Sequence, residues 1–206
     1  MEKIGFFAGS FDPFTKGHLH VVKISAQLFD KVIIGIGINP TKVKRFDTDV
    51  MADAIRKVLK REGLSNVEVV SYDNLSVTTA ISYNSTFLIR GIRNGMDYDF
   101  EETLATFNKE FSNLDTIYIR AGEVGPINST MIMDLIRNGA DLSKFLPEEI
   151  IEVVKNKPQW WGLFFCECLF SFINMFYLLF IYFLFVALFL LMLFLLNRLL
   201  FFLILF

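Results

Sequence analysis

Five short apolar runs, separated by longer segments with helical periodicity, are the feature that most constrains this fold. The runs are Ile4 to Ala8, Val32 to Ile38, Val67 to Ser71, Phe87 to Ile89 and Ile117 to Ile119. Short continuous apolar runs are typical of parallel strands that are buried on both faces. Strands that alternate with helices through right-handed crossovers build a doubly wound sheet. The sequence therefore predicts an α/β fold with a doubly wound, five-stranded parallel sheet.

The segments between the runs carry apolar residues at helical spacing, which predicts helices that pack one face on the sheet. The predicted faces are Leu19, Val22, Ala26 and Phe29; then Met51, Ile55, Val58 and Leu59; and later Leu104, Phe107 and Phe111. A last helix is expected from Phe145 to about Lys155, because Pro147 stands in its first turn and two acidic residues follow, which the helix dipole favours.

Composition divides the chain near residue 157. Residues 1–157 mix charged, apolar and turn-forming residues, whereas Glu167 and Arg198 are the only charged residues from Trp160 to Phe206. This contrast predicts one globular domain over residues 1–157 and a hydrophobic, helical tail over residues 158–206.

Two interpretations of the tail stay open. Its length exceeds the roughly 20 residues of a membrane helix, and Lys155 and Trp160 at its start would keep the globular domain on the cytoplasmic side. Alternatively, its Phe- and Leu-rich composition is that of translated T-rich, non-coding DNA. The sequence does not decide between a membrane anchor and a translation artefact.

Charge and cysteine content narrow the function classes. The formal net charge is -2, so no overall basic field predicts a nucleic acid partner. Both cysteines, Cys166 and Cys168, lie in the tail, and the first residues lack the pattern of a secretory signal peptide. We therefore expect a cytoplasmic globular domain, in which any phosphate site is local.

Residues suited to phosphate binding follow four of the predicted strands. These segments are Gly9 to His18, Asn39 to Lys42, Arg90 to Arg93 and Gly122 to Thr130. In doubly wound sheets, ligands bind beyond the carboxyl ends of the strands, where the strand order reverses. The four segments are therefore expected to meet in one site.

The first of these segments, Gly9 to His18, has the features of a phosphate-binding turn. It places a Gly-Ser turn after a strand and a Gly-His pair at the start of a helix. Backbone N–H groups at a helix start bind anions, Gly17 allows close approach, and the His18 imidazole can donate to a phosphate oxygen.

This segment resembles the HxGH nucleotidyltransferase superfamily, with Thr15 in place of the first histidine. Three further blocks narrow the resemblance to the phosphopantetheine adenylyltransferase family. They are Asn39 to Lys42, Leu88 to Arg93 with its extension Asp97 to Glu101, and Ile127 to Thr130. The resemblance covers residues 1–157.

The resemblance implies transfer of the adenylyl group of ATP to 4′-phosphopantetheine, which gives dephospho-CoA and pyrophosphate without a covalent intermediate. It implies two catalytic residues. His18 would stabilise the charge that grows on the α-phosphoryl oxygens, and Lys42 would reach the same centre and the attacking phosphate. Mg²⁺ is the implied cofactor, for which no protein ligand can be named, and a homo-oligomer, a hexamer, is the implied assembly.

The resemblance also implies the binding residues. For ATP they are Ser10, Phe11, Gly17, His18, Gly91, Ile92, Arg93, Glu101, Val124, Gly125, Pro126, Ile127, Asn128, Ser129 and Thr130. For phosphopantetheine they are Ser10, Lys42, Ser76, Arg90, Leu104 and Asn108. The chain departs from the family pattern at Ser76, which replaces an apolar residue, at Pro126, which replaces a larger one, and at Asn128, which replaces a serine.

Two other functions stay open at this point. One is nucleotidyl transfer to a different phosphorylated acceptor, such as nicotinamide mononucleotide or glycerol phosphate, although Lys42 and Arg90 in their blocks argue against it. The other is a membrane-held nucleotide-binding protein in which Asn128 has weakened catalysis. His20 is interpreted as an ordinary solvated helix residue.

Overall fold

The computed structural model describes residues 2–39, 41, 43–122 and 129–156, and it contains the predicted parallel sheet. The elements are β1 (Ile4–Gly9), α1 (Lys16–Leu28), β2 (Lys31–Gly37), α2 (Thr48–Arg61), β3 (Val67–Tyr72), α3 (Ser76–Ser82), β4 (Phe87–Ile92), α4 (Gly95–Ser112), β5 (Asp115–Arg120), α5 (Ser129–Arg137) and α6 (Glu148–Lys155). The strand order is β3-β2-β1-β4-β5, with all neighbours parallel. The order reverses between β1 and β4, which is where a ligand site is expected.

Alternate residues of β1 and β4 pack on opposite faces of the sheet, as the two-residue period of a strand requires. Phe7 and Ile89 belong to a large core that also includes residues of α1, α2, α5 and α6. Phe6 and Leu88 belong to a smaller core together with Val77 of α3. The sheet is therefore covered on both faces, as the doubly wound prediction requires.

Strand β4 is longer than its apolar run. The sequence places its end at Ile89, whereas the strand continues to Ile92 and pairs with β5 up to Arg120. Arg90 and Gly91 therefore belong to the strand and not to the following loop. The apolar pattern stops early because the side chain of Arg90 points to a polar edge of the sheet, while backbone pairing continues.

The expectation that α4 buries its apolar stripe is wrong for the single chain. Helix α4 contains no buried residue, and Leu104, Phe107 and Phe111 are 38%, 61% and 64% exposed. Periodicity identifies an apolar stripe but not the surface that it contacts. Met96 and Phe100 continue the stripe toward the start of the helix and are also exposed.

The end of the described chain is held by α6. Ile150 and Val154 are buried, and the guanidinium group of Arg61 in α2 donates to both carboxylate oxygens of Glu149, at 2.7 and 3.2 Å. These contacts belong to one compact unit, Met1–Lys157. None of the helices in the described ranges is long and apolar enough to cross a membrane. The tail lies outside those ranges.

Candidate active site

The turn after β1 is shaped by aromatic packing. A Cβ atom on Gly9 would lie 2.8 Å from the Phe11 ring, so this position requires glycine. Phe11 itself has a φ of 45° and is 2% exposed, with Phe14 packed against it at a centroid distance of 5.7 Å. The ring stack fixes the path of the chain into α1 and leaves Ser10 exposed at the edge of the sheet.

Thr15 and His18 cap the start of α1 and orient the imidazole. The Thr15 hydroxyl accepts from the His18 backbone N–H at 3.3 Å, and the Thr15 backbone N–H donates to His18 Nδ1 at 2.9 Å. Because Nδ1 accepts this bond, the proton of the neutral ring lies on Nε2. His18 therefore presents an N–H donor on its other side.

The surroundings of His18 keep it uncharged. Its ring lies 5.1, 5.6 and 6.4 Å from the ring centroids of Phe11, Phe14 and Phe7. Burial lowers the pKa of His18 to about 4, and the positive charge of Arg93 contributes in the same direction. At neutral pH the residue is a neutral hydrogen-bond donor.

A cavity of about 410 Å³ opens at the carboxyl ends of β1, β4 and β5. Its lining contains Phe7, Ala8, Gly9, Ser10, Phe11, Thr15, Gly17, His18, Val21, Arg90, Gly91, Arg93, Glu101, Ala121 and Ser129. The site residues expected from sequence that meet here are Ser10, Phe11, Gly17, His18, Arg90, Gly91, Arg93, Glu101 and Ser129. The cavity lies at the predicted reversal of strand order.

Two arginines enter the cavity, and each is held by a carboxylate of α4. Arg90 Nε and Nη2 donate to the two carboxylate oxygens of Glu101 at 2.5 and 2.6 Å, while Nη1 donates to the Ala8 carbonyl at 2.8 Å. Arg93 Nε and Nη2 donate to Asp97 at 2.7 and 3.1 Å. Asn94 caps α4 by accepting from the Asp97 backbone N–H, which orients this helix turn.

His18 and Arg90 reach the cavity from different faces of the sheet. The His18 ring contacts Phe7, which belongs to the core shared with α1. Arg90 follows Leu88 by two residues, so it lies on the α3 side. The arrangement suits two phosphate groups that meet at the edge of the sheet.

The other site residues expected from sequence lie outside this cavity or outside the described residues. Ser76 begins α3, Leu104 and Asn108 lie along α4, and Ile92 ends β4, where its carbonyl accepts from the Ala121 N–H at 2.9 Å. Lys42 and the loop residues Val124, Gly125, Pro126, Ile127 and Asn128 are outside the described ranges, and Thr130 is known only as part of α5. Their proposed contacts stay predictions.

Tyr72 connects the Ser76 position with the arginine side of the cavity. It ends β3, and its hydroxyl would lie 3.1 Å from a Cβ atom on Gly37. Burial raises the pKa of Tyr72, and the charge of Arg90 and a hydrogen bond with Ser76 lower it in part. Ser76 and Arg90 therefore both act on one hydroxyl at this edge of the sheet.

Sequence reasoning missed two carboxylates that organise the site. Asp12 accepts from the backbone N–H groups of Arg45 and Phe46 at 2.9 and 3.0 Å, which holds residues 45 and 46 against the turn after β1. Asp97 holds Arg93 through two hydrogen bonds from its guanidinium group. The spacing of four residues between Arg93 and Asp97 could have suggested their pairing, whereas nothing in the sequence indicates the partners of Asp12.

A larger cleft of about 1150 Å³ lies between α1, α2 and α6. Its described lining combines Lys16, Lys23, Arg61 and Lys155 with Glu62, Asp141, Glu148 and Glu152, and includes none of the expected site residues. Lys23 and Arg61 both pair with Glu62. Its charges are balanced, so it offers no preference for a phosphate.

Comparison with known proteins agrees with the fold. A family described as cytidylyltransferase-like matches residues 6–135, which defines the class as a nucleotidyltransferase. The fold resembles a putative nicotinate-nucleotide adenylyltransferase from Vibrio parahaemolyticus, with a TM-score of 0.59 at 21% identity over 76% of this chain and 100% of that chain. It also resembles a bifunctional NMN adenylyltransferase/ADP ribose pyrophosphatase from Francisella tularensis, with a TM-score of 0.53 at 19% identity over 75% and 52%.

Curated relatives narrow the class further. A phosphopantetheine adenylyltransferase of Streptococcus pneumoniae (strain Taiwan19F-14) is 38% identical over 161 residues, which are 77% of this chain and 98% of the relative. The enzyme of the same name from Allorhizobium ampelinum is 35% identical over 75% of this chain and 97% of its own length. The one from Flavobacterium psychrophilum is 37% identical over 70% of this chain and 95% of its own length. The chain belongs to the phosphopantetheine adenylyltransferase family, as its motifs indicated.

Proposed function

We propose that this protein transfers the adenylyl group of ATP to 4′-phosphopantetheine, with dephospho-CoA and pyrophosphate as products. The observation that carries the proposal is the convergence of a neutral His18 donor and two arginines on one cavity at the edge of the sheet. Such a cavity suits a triphosphate and a phosphate acceptor. The names of the relatives supply the identity of the acceptor.

In the proposed reaction, an oxygen of the acceptor phosphate attacks the α-phosphorus of ATP in line. A new P–O bond forms as the bond between the α-phosphorus and the bridging oxygen to the β-phosphate breaks, and its electron pair leaves with pyrophosphate. No side chain forms a covalent bond. The protein contributes positioning and charge stabilisation, which dominate phosphoryl-transfer catalysis.

His18 is proposed to stabilise the transition state. His18 lines the cavity, and its Nδ1 is already occupied as an acceptor, which leaves Nε2–H as the donor of the ring. A donor aimed at oxygens that gain charge in the transition state lowers the barrier. Lys42 is proposed, by family resemblance, to neutralise the same centre.

The substrates are proposed to occupy the two sides of the cavity. Gly17 and Ser129 at the starts of α1 and α5, together with Arg93, suit the ATP phosphates, because helix starts offer backbone donors. The loop 124–128 and Thr130 are assigned to ATP by family resemblance. Arg90 suits the acceptor phosphate, and the pantetheine arm would extend toward Ser76, Leu104 and Asn108 on the α3 and α4 side.

Magnesium is proposed to enter with ATP and not through a protein cage. Mg²⁺ keeps several waters and binds substrate phosphates, so it needs few protein ligands. When bound, the ion would neutralise charge on the triphosphate.

We also propose that the protein is a homo-oligomer, a hexamer by family resemblance, in a cytoplasmic setting. The exposed stripe of α4, in which Phe107 and Phe111 are 61% and 64% exposed, supports an assembly that covers it. The absence of cysteines from residues 1–157 supports a reducing compartment. Membrane attachment through the tail stays a hypothesis.

The test is pyrophosphate release with ATP and a panel of phosphorylated acceptors. The panel contains phosphopantetheine, nicotinamide mononucleotide and glycerol phosphate, each at equal concentration, with product masses determined in parallel. The proposal expects strong preference for phosphopantetheine and the mass of dephospho-CoA. Equal rates with nicotinamide mononucleotide, or no turnover with any acceptor, would overturn it.

A further inference from the structure

Both carboxylate oxygens of Glu101 accept hydrogen bonds from Arg90. The donors are Arg90 Nε and Nη2, at 2.5 and 2.6 Å, and the Glu101 and Arg90 side chains are 15% and 27% exposed. A bidentate pair of this kind fixes the plane of the guanidinium group. The Ala8 carbonyl takes a third Arg90 N–H at 2.8 Å and fixes the remaining rotation.

The engagement of Arg90 leaves a defined set of donors for a substrate. A guanidinium group has five N–H groups. Three have protein partners among the described residues, and the other two, one on Nη1 and one on Nη2, have no partner in that part of the chain. Glu101 therefore determines which edge of Arg90 an incoming phosphate meets.

We propose that Glu101 is a positioning residue for the acceptor phosphate, acting through Arg90, in addition to the nucleotide contact that family resemblance implies. This inference rests on the proposed adenylyl transfer. Asp97 has the same relation to Arg93 one helical turn earlier. Helix α4 thus carries one orienting carboxylate for each arginine, and the two pairs serve different substrates.

Two effects of Glu101 oppose each other when the acceptor binds. The carboxylate orients Arg90, which favours the in-line geometry, but its negative charge repels the phosphate. Removal of Glu101 relieves the repulsion and releases the guanidinium group at the same time. Acceptor binding should therefore change little, whereas turnover should fall because misplacement of a reacting group slows the reaction by as much as about 100-fold.

The first experiment compares Glu101→Ala and Glu101→Gln with Glu102→Ala. Glu102 is the neighbouring carboxylate on α4, accepts from the Tyr118 hydroxyl at 2.7 Å and lies outside the cavity lining. Glu101→Ala should lower kcat by on the order of 10- to 100-fold, with the phosphopantetheine dissociation constant within about 3-fold of wild type by calorimetry. Glu101→Gln keeps one acceptor oxygen and should be intermediate, and Glu102→Ala should match wild type.

The second experiment is a double-mutant cycle with Arg90→Ala. If Glu101 acts through Arg90, removal of the carboxylate should cause no further loss once the guanidinium group is gone. The double variant should equal Arg90→Ala in kcat/KM or exceed it, because an unpaired carboxylate beside the phosphate is repulsive. Losses that multiply would contradict the proposal, since Glu101 would then act independently of Arg90.

Further outcomes separate this inference from the proposed function. Wild-type kcat in Glu101→Ala, whatever the change in its ATP dissociation constant, would overturn the inference alone. Wild-type protein without turnover of phosphopantetheine would overturn the proposed function first. Thermal unfolding of each variant distinguishes a folding defect, and Glu101→Gln, which preserves shape, decides the outcome if Glu101→Ala fails to fold.

Discussion

The two sides of the cavity are built in different ways. On the β1–α1 side, His18 is held by a backbone hydrogen bond and three phenylalanine rings, two of which, Phe11 and Phe14, are 2% and 0% exposed. On the β4–α4 side, Arg90 and Arg93 are held by carboxylates of a helix that contains no buried residue. One side is fixed by packing and the other by ion pairs.

This difference matches the roles proposed for the two sides. A transition-state donor must be rigid and keep its proton, and an apolar shell provides both conditions. Groups that bind phosphates must retain charge and be accessible, and arginines with carboxylate partners satisfy this. We therefore expect changes on the β1–α1 side to affect turnover, and changes on the β4–α4 side to separate the two substrates.

The largest expected effect is that of His18→Ala on turnover. Removal of one transition-state donor should lower kcat by on the order of 10²- to 10³-fold while substrate binding changes less. Steady-state pyrophosphate release measures it. His20→Ala, which removes an exposed histidine of the same helix, is the control and should retain wild-type kcat. A loss confined to KM would mean that His18 contributes only to ground-state binding.

The next effect separates the two arginines. Loss of charged hydrogen bonds should weaken phosphopantetheine binding by about 10- to 100-fold in Arg90→Ala, with a smaller change for ATP. Arg93→Ala should show the reverse order. Calorimetry with each substrate alone measures both variants. If Arg90→Ala weakened ATP more than phosphopantetheine, the two arginine roles would have to be exchanged.

The sequence predicts the site best where a residue suited to phosphate binding directly follows a predicted strand or begins a predicted helix. The turn at Gly17 and His18 and the paired arginines after a buried run were sufficient to predict where the cavity forms. Contacts between distant segments were not predictable in this way, because periodicity does not encode what an apolar stripe faces. The exposed stripe of α4 and the contact of Asp12 with residues 45 and 46 are of this kind.

A third effect concerns pH and stability. Burial lowers the pKa of His18 to about 4 in the folded state, whereas the pKa is about 6.5 in the unfolded chain. Between pH 4 and pH 6.5 the unfolded chain therefore binds more protons than the folded one. The contribution of His18 to stability is present above pH 6.5 and is lost as pH falls toward 4. Between pH 7 and pH 5 this loss is about 2 kcal/mol.

Urea unfolding at pH 7 and pH 5 measures this effect as a difference between wild type and His18→Gln. Glutamine does not titrate, so the variant should lose about 2 kcal/mol less than wild type over this range. The carboxylates titrate in both proteins and cancel. Equal pH dependence in the two proteins would mean that His18 has an ordinary pKa and that its aromatic shell does not exclude the charge.

The smallest expected effect is that of removing the tail. The described site residues precede residue 157, and α6 closes its core with Ile150 and Val154. A chain that ends at Lys157 should therefore fold, remain soluble and retain the kcat of the full chain. Turnover of both chains and their distribution between soluble and membrane fractions test this. Misfolding or loss of turnover on truncation would contradict the independence of the two parts.

The stereochemical course at the α-phosphorus tests the central claim most directly. His18 carries its proton on Nε2 and accepts a hydrogen bond at Nδ1, so it is a donor and not a nucleophile. With the Sp diastereomer of ATPαS and phosphopantetheine, direct in-line transfer gives inversion of configuration in the dephospho-CoA phosphorothioate. Our account predicts inversion. Retention would contradict it, because two displacements through a covalent adenylyl-enzyme would then be required.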